Sequence, residues 1–392
     1  MNHGLGVTSD RSGTWAVIAG GGTGGHVYPG LAVADALVGG GLEPADVHFV
    51  VSRRHLDAAA VTAAGFTATA VHARGLRRRL SIANVAAAVA LARGVWECWG
   101  ILRRKVPRVV LAQGGYVSAA CALAARLRGI PVVVLEANAT AGAANRLAAR
   151  WAAACAVAFP GTALARRVVT GLPVRHGIAQ LHPSGGEGGG SAERRRRARD
   201  LLGVDPGRRL VLVIGGSLGS ARLNAAVGEA RQLLAGRGDL AVRHVVGHAA
   251  AATEVGVAGQ ATPAMLHYEA VAYEDDMPVA LAAADLVVSR AGGSTVAELA
   301  VAGRAALLVP LARAAGDHQT ANAGALAGAG AAVVIAESAL DGERLAAEIG
   351  RLLADPDELA RMERAAAALG EPQAAARVAA LLCTVGGGGS PS

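Results

Sequence analysis

The feature that most constrains the fold is a pattern of apolar run, glycine loop and Ala-rich segment that occurs twice. The first copy runs from Trp15 to Gly25 (WAVIAGGGTGG) and the second from Leu210 to Gly219 (LVLVIGGSLG). A buried strand that enters a helix through a tight glycine turn is the opening unit of a doubly wound parallel sheet. We therefore predict an α/β fold with two Rossmann-like, doubly wound domains that face each other across a cleft.

The rest of the chain continues this alternation of short Val/Ile/Leu runs with longer Ala-rich segments. Such runs are typical of parallel strands buried on both faces. A chain of 392 residues with 53% hydrophobic and 17% charged residues is long enough for two cores and is unlike a disordered chain. Besides 15–19, we expect strands at residues 47–52, 109–112, 132–135, 210–214, 242–246, 286–289, 306–309 and 332–335.

A glycine-rich stretch, 183–191, followed by an arginine-rich one, 192–200, separates the two sets of strands. Its composition predicts a flexible linker that permits hinge motion. The run Arg194–Arg197 fits a phosphate-binding patch, although the solvated start of a helix is favoured. We predict an N-terminal domain (1–178), a flexible linker (179–205), a C-terminal domain (206–368), a C-terminal helix packed back on the N-terminal domain (369–385) and a disordered tail (386–392).

Charge and cysteine content narrow the classes of partner and compartment. The net charge of +8 favours an anionic partner, and the 3% aromatic content argues against single-stranded nucleic acid, which needs stacking platforms. The four cysteines lack C-x-x-C spacing, so we expect buried thiols in a reducing cytoplasm rather than a zinc site or disulfides. The first twelve residues do not resemble a signal peptide, and the apolar run 80–92 is too short to span a membrane.

The first glycine loop, residues 20–25, predicts a phosphate site at a helix N-terminus. A dinucleotide fold would carry an acidic residue at the end of the second strand, where this chain has Arg53 and Arg54. NAD is therefore disfavoured, and an NADP oxidoreductase is an alternative. His26 follows the loop, where the helix dipole favours a neutral imidazole able to accept a proton, although a structural histidine is the other reading.

The second half repeats this chemistry in the segment Ser289–Glu298 (SRAGGSTVAE). Its N–H groups and hydroxyls can hold a phosphate, and Glu298, one turn inside the next helix, can accept hydrogen bonds from both hydroxyls of a ribose. The alternative is a helix cap, with Ser294 or Thr295 at the N-cap and Glu298 in the first turns. The polar loop 310–322 follows the next strand and is positioned to reach a sugar.

In their order along the chain these motifs resemble glycosyltransferase family 28, the MurG-type undecaprenyldiphospho-muramoylpentapeptide β-N-acetylglucosaminyltransferases. The resemblance covers residues 17–381. It implies a GT-B fold and inverting transfer of N-acetylglucosamine from UDP-GlcNAc to the C4 hydroxyl of the muramoyl sugar in lipid I, which gives lipid II for peptidoglycan synthesis, cell shape and cell division. The motifs that carry it are 21–32 (GGTGGHVYPGLA), 114–118 (GGYVS), 173–175 (PVR), 215–217 (GGS), 275–277 (DDM), 292–298 (GGSTVAE), 318–319 (HQ) and 322–323 (NA).

The resemblance also implies residue roles, with His26 as the catalytic base and Glu136 as the alternative. It places the uracil at the backbone of Tyr273 and Glu274, the ribose at Glu298, the diphosphate at Ser217 with Gly293–Thr295, and the sugar at Gln319. The implied donor-binding residues are Thr23, Gly24, Gly25, Asn138, Arg175, Ser217, Tyr273, Glu274, Gly293, Ser294, Thr295, Val296, Ala297, Glu298, His318 and Gln319. The implied acceptor-binding residues are Gly22, Thr23, Gly24, Gly25, His26, Tyr116 and Asn138.

We expect no obligatory metal or other cofactor. The D-x-D sequence Asp355-Pro356-Asp357 lies between Ala-rich segments, far from the glycine loops, and is typical of a helix cap.

Residues 76–105 place apolar residues and two tryptophans between basic clusters, as in a segment that lies at a membrane interface. A buried core helix is the alternative. We predict that the protein binds the anionic cytoplasmic face of the cell membrane peripherally, with cell-wall synthesis proteins as further partners. The predicted membrane residues are Leu80, Trp96, Trp99, Arg103, Arg104 and Lys105.

Three positions depart from the family pattern, because Ala137, Leu172 and Leu218 stand where the family commonly has an amide side chain. Each loses a hydrogen bond to sugar or diphosphate worth about 1 kcal/mol if buried. Two alternatives follow. One is a paralogous UDP-sugar glycosyltransferase acting on another lipid or a secondary-metabolite acceptor, and the other is a non-catalytic nucleotide-binding scaffold.

Overall fold

The computed structural model describes residues 13–21, 24–53, 55–72, 82–184, 190–216, 219–248, 250, 264–312 and 314–387. The chain divides into two compact units. The first contains Met1–Arg175 together with Gln373–Ser392, and the second contains His176–Pro372. Each unit is a parallel sheet with helical crossovers, so the predicted α/β class with two Rossmann-like domains is confirmed.

The first unit contains a seven-stranded parallel sheet in the order β3-β2-β1-β4-β5-β6-β7. Strands β1, β4, β5 and β6 are buried along their whole length, which explains why their sequences are apolar except for Glu136 at the end of β5. The strands are β1 Ala16–Ala19, β2 Val47–Ser52, β3 Thr67–Val71, β4 Val109–Ala112, β5 Val132–Glu136, β6 Ala154–Val157 and β7 Arg167–Val169. The helices are α1 Gly24–Gly39, α2 His55–Ala63, α3 Ile82–Lys105, α4 Gly115–Leu127 and α5 Ala143–Ala148.

The second unit contains a six-stranded parallel sheet in the order β10-β9-β8-β11-β12-β13. Its strands are β8 Arg209–Ile214, β9 Leu240–Val245, β10 His267–Val271, β11 Leu286–Ser289, β12 Ala306–Leu308 and β13 Ala332–Val334. Its helices are α6 His176–Ala179, α7 Ser191–Leu201, α8 Ala221–Leu233, α9 Met277–Ala283, α10 Gly293–Ala302, α11 His318–Gly328, α12 Gly342–Ala354 and α13 Pro356–Leu369.

Both sheets reverse their strand order beside the strand that carries the glycine loop. In the first unit the order turns between β1 and β4, and in the second between β8 and β11. Ligands of open parallel sheets bind beyond the carboxyl ends of the strands at such a switch point. The two glycine motifs therefore occupy equivalent positions of the two units, each at the switch point of its sheet.

The segment predicted as a flexible linker, 179–205, contains helix α7 and belongs to the second unit. Arg195 and Arg199 form ion pairs with the buried Asp285, and Arg195 also pairs with Glu363. The run Arg194–Arg197 is thus not simply a solvated helix start, because Arg195 pairs with the buried Asp285 and the half-buried Glu363. The glycines at 185–189 lie outside the described residues.

The chain returns to the first unit at its C-terminal end. Helix α14, Ala374–Val385, packs against α1 and buries Val378 and Leu382 completely. This unit therefore combines the beginning and the end of the chain. The tail predicted as disordered, 386–392, lies outside the described residues from 388 onward.

All four cysteines are buried free thiols, as predicted. Over the part of the chain that the structure describes, no helix has both the length and the apolar character needed to cross a bilayer.

Candidate active site

In the first unit, two glycine-rich helix N-termini lie side by side at the carboxyl ends of β1 and β4. Helix α1 begins at Gly24, and His26 is its third residue. Helix α4 begins at Gly115, where a Cβ would lie 3.3 Å from the carbonyl oxygen of Gly21. Gly114 and Gly115 have φ of 97° and 78°, a conformation that glycine adopts without strain. The neighbouring helix dipoles favour an anion at this edge.

The described residues include only part of the predicted acceptor side. Gly22 and Thr23 lie outside them, as does the side chain of His26. Tyr116 is the second residue of α4 and is 40% exposed. The structure thus places the helical position of His26 and the exposed ring of Tyr116 on the same edge of the sheet.

Glu136 ends β5 and is only 2% exposed. Its Oε1 accepts hydrogen bonds from the backbone N–H and the side-chain amide of Asn138 at 3.0 and 2.9 Å. Its Oε2 accepts from the Gly142 N–H at 3.0 Å and from the Asn145 amide at 2.9 Å. With each oxygen holding two donors, the carboxylate organises the turn that carries Asn138, and this arrangement does not favour its use as a base.

Arg175 is the last residue of the first unit before the chain enters the second. Its guanidinium lies 4.6 Å from the centre of the Tyr28 ring on α1, a cation–π contact. The predicted donor-binding arginine is therefore held against the helix that follows the first glycine loop.

In the second unit, the glycine loop after β8 leads to Ser220, the N-cap of α8, whose hydroxyl accepts from the Leu223 N–H. Gly219 has a φ of 74°, and a Cβ there would overlap the carbonyl oxygen of Val246. Only glycine therefore fits this close approach of two loops. Ser217 and Leu218 lie outside the described residues.

The next loop begins after β11 and leads into α10. The N-cap of α10 is Gly292, which has no side chain to cap the helix, so the predicted alternative with Ser294 or Thr295 at the N-cap is wrong. Glu298 lies half-buried one turn further along the helix, as expected. The N-terminus of α10 follows the carboxyl end of β11, which is a typical place for an anion site.

The turn after β10 carries Tyr273 and Glu274. The Tyr273 ring stacks on His248 at 5.5 Å between ring centres with an interplanar angle of 8°. Glu274, 5% exposed, accepts from Arg243 at 2.6 Å, and Arg243 also binds Glu269. An internal ion pair therefore fixes the turn whose backbone the resemblance assigns to the uracil.

The loop after β12 is held by two neighbours. The Gln319 Oε1 accepts from the Leu311 N–H at 2.9 Å, and the Glu337 Oε2 accepts from the Ala312 N–H at 3.1 Å. The Asn322 amide donates to the carbonyl oxygen of Ala291 at 3.0 Å, which ties α11 to the start of the α10 loop.

Sequence reasoning found the loops and missed the side chains that brace them. Asn145, Arg243 and Glu337 belong to none of the motifs and were not predicted. Arg290 stands inside the motif that contains Glu298, and its position directly after an apolar strand was the signal available for it.

The D-x-D sequence has the predicted structural role, because the Asp355 side chain caps α13 by accepting from the Glu358 N–H at 2.8 Å. Among the residues that the structure describes, no group of three or more His, Cys, Asp or Glu side chains is arranged to hold a metal ion.

Comparison with known proteins covers both units. Residues 16–157 match the glycosyltransferase family 28 N-terminal domain, and residues 210–378 match the family's C-terminal domain. The chain is 40% identical over 368 residues to a UDP-N-acetylglucosamine–N-acetylmuramyl-(pentapeptide) pyrophosphoryl-undecaprenol N-acetylglucosamine transferase from Clavibacter michiganensis subsp. michiganensis, a match that spans 93% of this chain and 95% of that protein.

A second transferase with the same name, from Alkalilimnicola ehrlichii, is 39% identical over 370 residues, 93% of this chain and 96% of that protein. Among solved structures, MurG of Acinetobacter baumannii superposes with a TM-score of 0.71 at 30% identity. That superposition covers 94% of this chain and 99% of the other.

Proposed function

The chain belongs to glycosyltransferase family 28, and on that premise we propose how its residues carry out the reaction. It transfers N-acetylglucosamine from UDP-GlcNAc to lipid I, the undecaprenyl-diphosphate-linked muramoyl peptide, and so makes lipid II for peptidoglycan. The observation that carries this function is identity near 40% along nearly the whole length of such enzymes. The same identity supports the family, the activity and the donor, and we propose the roles of the individual residues from the structure.

The second unit holds the donor. The N-terminus of α10, at Gly293–Thr295, accepts the diphosphate, and Glu298 accepts the ribose hydroxyls. The turn at Tyr273 and Glu274 presents its backbone to the uracil, and Gln319 contacts the sugar. Departure of UDP places negative charge beside helix N–H groups that are already oriented, which lowers the barrier without reorganisation.

The first unit holds the acceptor. His26, at the third position of α1, removes the proton from the C4 hydroxyl as that oxygen attacks the anomeric carbon with inversion. Tyr116 and Asn138 line the acceptor, and the N-termini of α1 and α4 receive its diphosphate. We choose His26 over Glu136 because the Glu136 carboxylate is buried and already accepts four hydrogen bonds.

We propose that the reaction needs no obligatory metal. The charge of the leaving diphosphate is balanced by the N–H groups at the N-terminus of α10. The only D-x-D sequence in the chain is engaged at the start of α13, where Asp355 caps the helix.

We also propose that the first unit binds the anionic cytoplasmic surface of the cell membrane through α3. Trp96 on this helix is 77% exposed and Val89 is 63% exposed, while Arg103 and Arg104 are exposed at its C-terminal end. The first unit contains 20 basic and 7 acidic residues, against 18 and 23 in the second. Exposed tryptophan with flanking arginine suits a lipid headgroup region. Leu80 lies outside the described residues.

The sequence predicts that both Trp96 and Trp99 face the membrane, and for Trp99 the structure shows a different environment. Trp99 packs partly against the core of the first unit, and Arg128 lies 5.2 Å from its ring centre. We therefore assign the membrane contact to Trp96, with Trp99 as its support.

Turnover of lipid I by the purified protein tests the proposed function. UDP-GlcNAc should give lipid II, and calorimetry should show binding of UDP-GlcNAc in preference to UDP-glucose. Product from a different acceptor but not from lipid I would favour the paralogue that the departures at Ala137, Leu172 and Leu218 suggest. Nucleotide binding without turnover of any acceptor would favour the scaffold.

A further inference from the structure

Arg290 is a buried arginine directly after β11, at the switch point of the second sheet. It is 9% exposed and makes four side-chain hydrogen bonds. Its Nε and Nη2 donate to the Ser220 Oγ at 3.1 and 2.7 Å, and its Nη1 donates to the carbonyl oxygen of Val309 at 3.2 Å. Its Nη2 also donates to the Glu337 Oε1 at 2.5 Å. These bonds occupy most of the five N–H donors of a guanidinium.

Each partner of Arg290 belongs to a different loop at the carboxyl edge of the sheet. Ser220 ends the glycine loop after β8, Val309 follows β12, and Glu337 follows β13. Glu337 extends the connection, because its second oxygen accepts from the Ala312 N–H in the loop that Gln319 also braces. One guanidinium thus joins the loops assigned to the diphosphate with the loop assigned to the sugar.

The charges in this cluster favour a fixed geometry. Burial raises the pKa of Glu337, but hydrogen bonds from the Ala312 N–H and from Arg290 outweigh it and leave the pKa below its usual value. Glu337 is therefore ionised at neutral pH and pairs with a guanidinium that is itself largely removed from water. Arg290 donates to one oxygen of Glu337 and the Ala312 N–H donates to the other, so this partly buried, charge-assisted pair fixes both side chains and the backbone attached to them.

We propose that Arg290 is a positioning residue for the donor, which acts through Ser220, Val309 and Glu337 and does not contact the diphosphate itself. It holds the loops after β8, β11 and β12 in the arrangement that binds UDP and orients the sugar. This proposal rests on the proposed function of the second unit as the donor site. It extends that function by identifying the side chain that holds these loops in fixed positions relative to one another.

The variant Glu337→Gln separates positioning from direct binding, because the two predict changes of opposite sign. If Arg290 acts through Glu337, loss of the ion pair loosens the Ala312 loop, and both the Kd for UDP and the KM for UDP-GlcNAc rise about tenfold, as expected for loss of a charged hydrogen bond. The KM for the acceptor stays unchanged. If Arg290 binds the diphosphate directly, removing the competing carboxylate frees the guanidinium, and UDP binds more tightly.

A double-mutant cycle with Arg290→Lys completes the test. Residues that act together give non-additive effects. The double variant should therefore bind UDP with about the same Kd as the single variant that has the lower affinity. Additive losses would overturn the proposal. A Glu337→Gln protein with wild-type affinity for UDP would overturn it as well.

Glu363→Gln is the matched control. Glu363 forms a 2.5 Å pair with Arg195 in the same unit and is similarly half-buried. It connects α13 to α7 and, at 3.5 Å, to Arg304 before the amino end of β12, and not to the loops at the carboxyl ends of the strands. This variant should keep wild-type kinetics. Circular dichroism on each variant reports its fold, and a wild-type protein that fails to bind UDP would contradict the proposed function instead of this inference.

Discussion

His26 and Glu136 are two residues of the first unit whose side chains are able to accept a proton, and they lie at different places in the fold. His26 lies at the third position of α1, directly after a glycine loop. Glu136 is buried at the end of β5 with two donors on each oxygen. Proton transfer from a substrate would require Glu136 to release some of these donors, so we assign this carboxylate a structural role.

We expect Glu136→Gln to reduce kcat/KM for the acceptor about ten- to a hundredfold, because the introduced amide would face two of the present donors, at a cost of about 1–3 kcal/mol. The pH profile of kcat should keep its wild-type shape.

His26→Ala should lower kcat by about two to four orders of magnitude, the usual contribution of a general base. Steady-state kinetics with lipid I between pH 5.5 and 9 measure both.

The opposite pattern would reverse the assignment. A general base makes kcat depend on a group that must be deprotonated. If Glu136→Gln abolishes this dependence in the pH profile and His26→Ala keeps it, then Glu136 is the base. Asn145→Ala is a useful companion, because it removes a donor to Glu136 without changing the carboxylate, and a positioning role predicts a smaller loss of the same kind.

The sequence was sufficient to find the residues that stand in glycine motifs and insufficient for those that brace them. His26 and Glu298 follow glycine loops after apolar strands, so local pattern identifies them. Glu337 and Arg243 reach the site from other strands, and their partners lie far away in the chain. Pairs of this kind form only in the folded chain, so the local sequence around each residue does not predict its partner.

Among the elements, the sequence predicts strands where Val, Ile and Leu follow one another, and this criterion missed four strands. β3 and β7 lie at the edges of the first sheet and contain exposed residues, so they lack a continuous apolar run. β10, at an edge of the second sheet, alternates polar and apolar residues. β6 is fully buried, but its sequence ACAV is short and mostly small, and is not distinguishable from a helix segment by period alone.

Strands β2 and β9 each carry a buried histidine that makes stability depend on pH. Burial lowers the pKa of His48 to about 4, with a smaller effect from Lys105, and burial lowers the pKa of His244 to about 4. The ring nitrogens of His48 lie 2.8 and 2.9 Å from the hydroxyls of Thr67 and Thr69. Both imidazoles are therefore neutral in the folded protein at neutral pH.

We expect the free energy of unfolding to fall as the pH drops from about 6.5 to 4. The unfolded chain takes up protons below the ordinary histidine pKa of about 6.5, whereas the folded chain does so only near pH 4. Each histidine then contributes a slope of about 1.4 kcal/mol per pH unit within this window. Urea unfolding between pH 7 and 5 measures the slope, and His48→Gln and His244→Gln should each reduce it. An unchanged slope in both variants would contradict this origin.

Helix α3 differs from the other helices of the first unit in that it exposes a tryptophan. Trp96→Ala should weaken binding to vesicles that contain anionic lipid, because it removes an exposed aromatic side chain suited to the headgroup region. Sedimentation with anionic and with neutral vesicles measures the change. Kinetics with a soluble acceptor analogue should stay as in the wild type.

Leu201→Ala is the matched control for Trp96, because Leu201 is 74% exposed but lies on α7 of the second, acidic unit. Its loss should leave vesicle binding unchanged. Equal losses for the two variants would mean that exposed apolar area in general, and not α3, carries the membrane contact.

For the whole molecule, the chain path has a consequence for stability, because the first unit is completed by the last helix. The chain leaves this unit after Arg175 and returns at Gln373. Helix α14 then buries Val378, Leu382 and Cys383 against α1 and the sheet. Burial of one such aliphatic side chain contributes about 1.5–3 kcal/mol, and a whole domain has a free energy of unfolding of only about 5–15 kcal/mol.

A protein truncated after Pro372 should therefore lose several kcal/mol from the first unit, which exposes the face of α1 that α14 covers. The second unit ends at Pro372 and keeps all of its elements. Calorimetric unfolding should then show a first-unit transition that is shifted strongly downward or absent, with a second transition that still responds to UDP. A protein truncated after Gly387 retains α14 and should unfold like the full chain. Truncation after Pro372 that leaves both transitions in place would mean that the sheet and α1 suffice for the first unit.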